Sequence, residues 1–250
     1  MKSRRIDDIE LYVKKHDSAT IEELTKEFNV SVNTIRRDIN ELVARGNNNI
    51  EKVYGGIRAR NDALLSFDSR HSSNYQEKLK IAQKAADLIQ NDDVIFIDSG
   101  TTTAPIMKYL DRDIRCTIIT NNLDIIDQMD SFSNIKLFLV GSLFRKKTRS
   151  FIAIDDEVIL DRFNINKAFL AATGLSLKNG ITNSDQGEYW IKKNVVNVSE
   201  KNILLVDSTK FGRSALLTYA KLDQIDIIVT DEEPSEKYAD YFKAHDIEVL

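Results

Sequence analysis

The sequence predicts an α/β chain: a small helical N-terminal unit, then a doubly wound, mostly parallel α/β domain. Three observations carry that expectation. Up to Gly46 the apolar residues recur at helical spacing. From Glu77 onward, short apolar runs such as Val94-Ile95-Phe96-Ile97 and Ile203-Leu204-Leu205-Val206 alternate with helical patterns, the mark of a parallel sheet covered on both faces. Each run is followed by Gly, Ser, Thr, Asn or Asp, the residues of turns at the rim of an open sheet.

Taken in order, residues 4–15 place Ile6, Ile9 and Val13 on one helical stripe. Thr20-Ile21-Glu22-Glu23 is a capping box, and it opens a short helix with Ile21, Leu24 and Phe28 turned inward. Asn29-Val30 is a tight connection into a third helix, the spacing of a helix-turn-helix. In that third helix Ser31 stands at the N-cap. Ile35, Ile39 and Leu42 share the inner face, while Asn33, Arg37 and Asn40 point the other way with Arg36 on the flank. Short polar groups and arginines at the exposed start of a helix suit a major groove, where they hydrogen-bond base edges beside cations on phosphate. Asn33, Thr34 and Arg37 are assigned to bases; Ser31, Arg36, Lys52 and Arg58 are assigned to the backbone. Gly46 ends the helix, and Asn47-Asn48-Asn49 separates it from β-prone segments through Ile57, which read as a wing. The expected division is a winged helix-turn-helix over 1–58, a linker over 59–75 and an α/β domain over 76–250.

In the α/β domain a helix with Ile81, Ala82, Ala85, Leu88 and Ile89 inward leads into the strand 94–97. Helices from about Thr103, over 123–129, over 155–162 and over 188–199 precede strands near 117–119, 136–140, 168–170 and 203–206. The strand 227–229 and a last helix into 247–250 complete the alternation. Ligands bind such sheets at the carboxyl ends of the strands. Those ends carry Asp98-Ser99-Gly100-Thr101-Thr102, Thr120-Asn121, Gly141, Thr173-Gly174, Asp207-Ser208-Thr209-Lys210 and Thr230-Asp231. A glycine-hydroxyl loop leading into a helix presents free amides and hydroxyl donors, which a phosphate accepts readily. It is neither a Walker A loop nor a dinucleotide fingerprint. Lys210 is a point charge for the same ligand, and Asp98 and Asp207 are acceptors for sugar hydroxyls.

Composition excludes other classes. With 35 Lys+Arg against 39 Asp+Glu the net charge is −4, so the chain is not a polybasic nucleic-acid binder. The balance is uneven: residues 1–60 hold 12 basic and 10 acidic side chains, the rest 23 and 29. One cysteine, Cys116, excludes an internal disulfide, and three scattered histidines argue against a metal cluster. No signal peptide or membrane-length apolar run is present, so a cytoplasmic protein without membrane contact, metal or cofactor is expected.

These residues resemble, essentially end to end, the DeoR family of bacterial sugar-metabolism regulators. Ser31, Thr34, Ile35, Arg36, Arg37 and Asp38 are similar to its recognition signature, and Tyr54-Gly55-Gly56 to its wing glycines. Lys78 with Ile81-Ala82, the 98–102 run, Thr120-Asn121, Gly141 with Arg145 and Ser150, and the 207–212 run resemble its sensor landmarks. Ser142 and Thr209 depart from it, standing where glycine and serine are more common. The resemblance implies a transcription factor, usually a repressor, whose sensor is similar to phosphosugar isomerases and whose effector is a phosphorylated sugar. Asp98, Ser99, Gly100, Thr101, Thr102, Asn121, Gly141, Arg145, Asp207 and Lys210 are then expected to line the effector site. Operator DNA and further copies of the chain, a dimer or more, are the expected partners. The alternative is a phosphosugar isomerase-like enzyme with a regulatory DNA-binding head.

Overall fold

The computed structural model describes residues 2–16, 18–44, 50–53, 55–59, 72–153 and 160–250. The chain divides into two compact units, Met1–Leu65 and Ser66–Leu250. No helix among the described residues is long and apolar enough to cross a membrane.

The first unit is built on α1 (Lys2–His16), β1 (Ser18–Thr20), α2 (Ile21–Glu27), α3 (Val32–Ala44), β2 (Ile50–Val53) and β3 (Gly56–Ala59). Ile6, Ile9, Val13, Leu24, Ile35, Ile39, Leu42 and Ile57 are at most 1% exposed and form one core. Each such side chain contributes about 1.5–3 kcal/mol on burial, ample for a unit this size. The capping box is in place. The Thr20 hydroxyl accepts from the Glu23 amide at 3.1 Å, and the Glu23 carboxylate accepts from the Thr20 amide at 2.7 Å. Asn29 turns the chain between α2 and α3 at φ +47°, a conformation asparagine adopts more easily than most residues. The sheet has the order β1-β3-β2, all antiparallel, so the wing hairpin gains a third strand that the sequence pattern does not reveal. That strand explains Gly56: a Cβ there would lie 2.2 Å from the Ala19 carbonyl oxygen. Gly46 and Asn47-Asn48-Asn49 lie outside the described residues, as do Tyr54 and residues 60–71, which carry most of the linker.

In the second unit, strands β4 (Val94–Ile97), β5 (Cys116–Thr120), β6 (Ile135–Leu139), β9 (Lys167–Ala171), β12 (Lys201–Leu205), β14 (Ile227–Val229) and β15 (Glu248–Val249) form a parallel sheet. Its order is β15-β14-β12-β9-β4-β5-β6. Successive strand residues face opposite layers. Phe96, Ile119, Leu170 and Leu204 pack with α6 (Gln186–Val198) and α7 (Glu236–Ala244), whereas Ile95, Ile118, Phe169 and Ile203 pack with α4 (Tyr75–Ala86). Both faces are covered, as in a doubly wound sheet. The apolar runs are therefore continuous because each strand is buried on two sides.

Two pieces escape the periodicity: the hairpin β7 (Leu143–Arg145) with β8 (Ser150–Ile152), and a small antiparallel sheet of β10 (Gly174–Ser176), β11 (Gly180–Asn183) and β13 (Leu217–Ala220). The helix expected from Thr103 is a 3-10 turn, Ala104–Lys108, and that expected over 123–129 is α5 (Leu123–Ile126) followed by a 3-10 turn, Met129–Ser131. Residues 154–159, most of the helix expected over 155–162, lie outside the described residues. Cys116, at the start of β5, is buried, and burial reinforced by the Asp93 charge pushes its thiol up to about 11.

Candidate functional site

Helix α3 presents the surface expected of a base-reading helix. Ser31 caps it: the Thr34 amide donates to the Ser31 hydroxyl at 3.2 Å, and the two hydroxyls are 2.8 Å apart. Ile35, Ile39 and Leu42 hold the helix to the core, which leaves Asn33, Arg36, Arg37 and Asn40 exposed and Thr34 partly so. Lys52 on β2 donates to the Asn40 side chain at 3.1 Å, so the wing's cation stands beside the exposed face of α3. Arg58 pairs through its backbone in β3, and its side chain lies outside what is described. Asp38, within the recognition signature, belongs to the core rather than the surface: it is 1% exposed and accepts from Arg5 of α1 at 2.7 and 3.3 Å. Arg36 and Arg37 just before it are exposed, whereas Asp38 itself ties α1 to α3.

In the second unit the strand order fixes where a ligand belongs. From β4 the chain proceeds outward through β5 to β6, then returns to β9 on the other side of β4 and continues through β12 and β14. The crossover direction reverses between β4 and β9, and the crevice at such a switch point is where open α/β sheets bind ligands. The 98–102 loop leaves β4 at that point. Gly100 lets it approach β9, since a Cβ there would lie 2.8 Å from the Ala171 Cβ. Ser99, Thr101 and Thr102 are 5–7% exposed, so the loop is tucked into the domain rather than an open turn. The helix after it is only a five-residue 3-10 turn. Hydroxyls and amides, more than a helix dipole, are what the loop offers an anion.

Asn121, at the end of β5, donates to the Ser99 hydroxyl at 3.1 Å and to the Phe151 carbonyl at 3.1 Å. The Ser99 hydroxyl in turn donates to Glu188 at 3.2 Å. Glu188, 4% exposed on α6, also accepts from Ser150 at 2.9 Å and Asn183 at 3.1 Å. One helix turn on, Lys192 is 1% exposed, pairs with Asp98 and donates to the Ala171 carbonyl at 2.9 Å. Asp98 Oδ2 also accepts from the Ala171 amide at 2.9 Å. Asp98 Oδ1 and Asn121 Oδ1 are buried without a hydrogen-bond partner. Burial lifts the Glu188 carboxyl above the ordinary carboxylate range. The Asp98 and Asp185 charges add to that rise, while Lys192 and the Asn183 hydrogen bond oppose it.

Glu188 and Lys192 are the site residues that sequence reasoning missed. The signal was present: two opposite charges four apart share a helix face with Ile191 and Val195, where an apolar stripe should run unbroken. The lysine beside Asp98 is thus Lys192, and Lys210 stands elsewhere. Lys210 follows β12, two strands from β4, about 10 Å across the sheet. Its ammonium is 4.0 Å from Asp207. Asp207 is held in its own turn, accepting from the Thr209 amide at 3.2 Å and from Asn74 at 3.1 Å. Arg145 is engaged by Asp185 at 2.6 Å, and Asp185 caps α6 by accepting from the Gly187 and Glu188 amides. Gly141, at φ +103°, lies where a Cβ would meet the Phe151 backbone at 2.7 Å, which accounts for it without a ligand. Ser99 and Asn121 are thus linked to Glu188, and Asp98 to Lys192, while the Asp207–Lys210 turn lies two strands away and Gly141 and Arg145 are engaged with the protein itself. Among the described residues no three His, Cys, Asp or Glu side chains are grouped to hold a metal.

Residues 5–63 match the model of the DeoR-like helix-turn-helix domain, and residues 73–232 that of the DeoR C terminal sensor domain. The chain belongs to the DeoR family. Among similar DeoR-type proteins, the HTH-type transcriptional regulator IolR of Bacillus subtilis is 46% identical over 99% of this chain and 98% of its own. The L-fucose operon activator of Haemophilus influenzae is 31% identical over 94% of both chains. The glycerol-3-phosphate regulon repressor of Escherichia coli is 28% identical over 95% of this chain and 94% of its own. This DeoR-family chain is a DNA-binding transcription regulator.

Proposed function

We propose that this DeoR-family regulator is an operator-binding repressor of a sugar-catabolic operon, governed by a phosphorylated sugar held in the 76–250 domain. The observation that carries the effector reading is the hydroxyl-lined 98–102 loop at the reversal point of the sheet, hydrogen-bonded to Asn121. Ser99, Thr101, Thr102 and the loop amides around Gly100 would take the phosphate; Asn121, Asp207 and Lys210 would meet the rest of the sugar. The similarity to a glycerol-3-phosphate regulon repressor supports the phosphorylated effector. Asn33, Thr34 and Arg37 would read bases, with Ser31, Arg36, Lys52 and Arg58 on phosphate. One such head, 1–58 on its linker 59–75, makes too few contacts for tight specific binding, so two or more copies would span repeated half-sites. The effector then shifts the balance between arrangements of the heads by as much as its affinity differs between them. An isomerase reading has less support, because Asp98 is neutralised by Lys192 and Asp207 is bound within its own turn.

Fluorescence anisotropy of the full chain tests this on DNA from upstream of its gene neighbours, with a panel of sugar phosphates and their unphosphorylated counterparts. Specific binding that one phosphate shifts, and its free sugar does not, is the expected result. Specific binding indifferent to every phosphate would leave the DNA assignment standing and remove the effector. In the same assay Arg37→Ala is expected to cost about 1–3 kcal/mol on the operator and far less on random duplex. Equal losses on both would move Arg37 to the phosphate class.

A further inference from the structure

The crevice contains a charge that its proposed ligand would not tolerate. Asp98 is matched by Lys192, and Asp185 by Arg145. Tyr219 of β13, which donates to the Ala171 carbonyl at 3.0 Å, is held well above its ordinary range by burial and stays neutral. Lys192, Asp98 and Asp185 are the charges that act on Glu188, from α6 itself, the end of β4 and the turn before α6. Among the described residues Glu188 makes no ion pair, since Lys192 is paired with Asp98 and acts on Glu188 only at a distance; Glu188 accepts from Ser99, Ser150 and Asn183. Were it ionised, a phosphate on the Ser99 hydroxyl would place a second anion within about 6 Å of it, in a site screened from water.

The hydrogen bond between them sharpens the conflict. A serine hydroxyl has one proton to give. In this structure Ser99 spends it on Glu188 at 3.2 Å, while Asn121 donates to the same oxygen at 3.1 Å. A phosphate-ester or sulfate dianion brings acceptors only, so it competes with Glu188 for that proton. If Glu188 is protonated, the direction reverses: its O–H donates to Ser99, and Ser99 donates to the anion. One chain of hydrogen bonds then runs from α6 to the ligand with every donor used.

We propose that Glu188 binds a proton when an anion docks beside Ser99, so that effector binding and proton uptake are one event and Glu188 decides how much negative charge the crevice accepts. The inference rests on the anion-site reading given above. The proton comes from solvent, and no bond other than the carboxyl O–H is made.

Inorganic sulfate is the probe, because it stays a dianion from pH 5.5 to 8.5 and any pH dependence of its binding belongs to the protein. Calorimetric titration of the full chain is expected to show sulfate affinity falling as pH rises, by up to tenfold per unit above the Glu188 pKa. Repeating it in two buffers of different ionisation enthalpy is expected to reveal uptake of up to one proton per anion. Glu188→Gln, neutral at every pH, should bind sulfate with a flat pH profile and more tightly than the parent at pH 8. Flat wild-type affinity with no proton uptake overturns the proposal while leaving the anion site intact. Absence of any sulfate or phosphate binding overturns both together. The two-buffer measurement on the unaltered chain decides the matter even if Glu188→Gln fails to fold.

Discussion

Lys192 and Asp98 form a pair whose members are each at most 2% exposed, joined across α6 and the end of β4. Bringing two opposite charges out of water is costly, and their attraction repays it only while both are present. Lys192→Met is therefore expected to destabilise the sensor by about 3–5 kcal/mol, because it strands the Asp98 carboxylate. Adding Asp98→Asn should recover most of that loss, and thermal unfolding of the single and double variants reads the difference. Independent, additive losses would mean the pair is not coupled. The same logic separates the two arginine–aspartate contacts. Arg5 with Asp38 and Arg145 with Asp185 each join a half-open guanidinium to a buried carboxylate, so the aspartates, not the arginines, are the strained partners if the contact is cut. None of these pairings could be read from spacing alone: Asp38 looks like part of an exposed polar run until the fold turns it toward α1.

At the scale of elements, the two glycines of the wing ask for glycine for different reasons. Gly55 has φ +81° and open space around it, so asparagine, which tolerates that region, should be accepted at a cost of about 1 kcal/mol or less. Gly56 faces the Ala19 carbonyl across β1 and β3. Gly56→Ala is expected to cost about 1–3 kcal/mol and weaken operator binding, while sulfate binding by the sensor is unchanged. An unchanged operator affinity would show that the three-stranded register is not needed for DNA reading. The helices and buried strands were legible because their apolar residues repeat at 3.6 or run unbroken. β1, the hairpin of β7 and β8, and the small sheet with β13 were not, because each strand is three or four residues long, too short to show a period, and β1 and β13 pair with strands distant in sequence.

For the whole molecule, the strand order is what converts a list of polar strand ends into a site. The sequence shows six such ends with similar chemistry, and only the reversal between β4 and β9 singles out one crevice among them. That order depends on long-range pairing, which no local pattern encodes. Hence Ser99 and Asn121, at strand ends, could be named as candidates from the sequence, whereas Glu188 and Lys192, which meet Ser99 and Asp98 from the first two turns of α6, could not.

Cys116 lies in β5, next to the strand that carries the crevice, and its position gives the chain a chemical clock. With the thiol pushed up to about 11, roughly one in ten thousand is ionised at neutral pH, and the side chain is covered by the sheet. Alkylation by a maleimide should therefore wait for β5 to leave its neighbours, so its rate counts openings of the sheet rather than collisions with reagent. A ligand that favours the closed sheet would slow that clock in proportion to its occupancy, without a label ever being placed in the crevice. Alkylation as fast as that of a free thiol would mean that β5 opens far more readily than its burial implies.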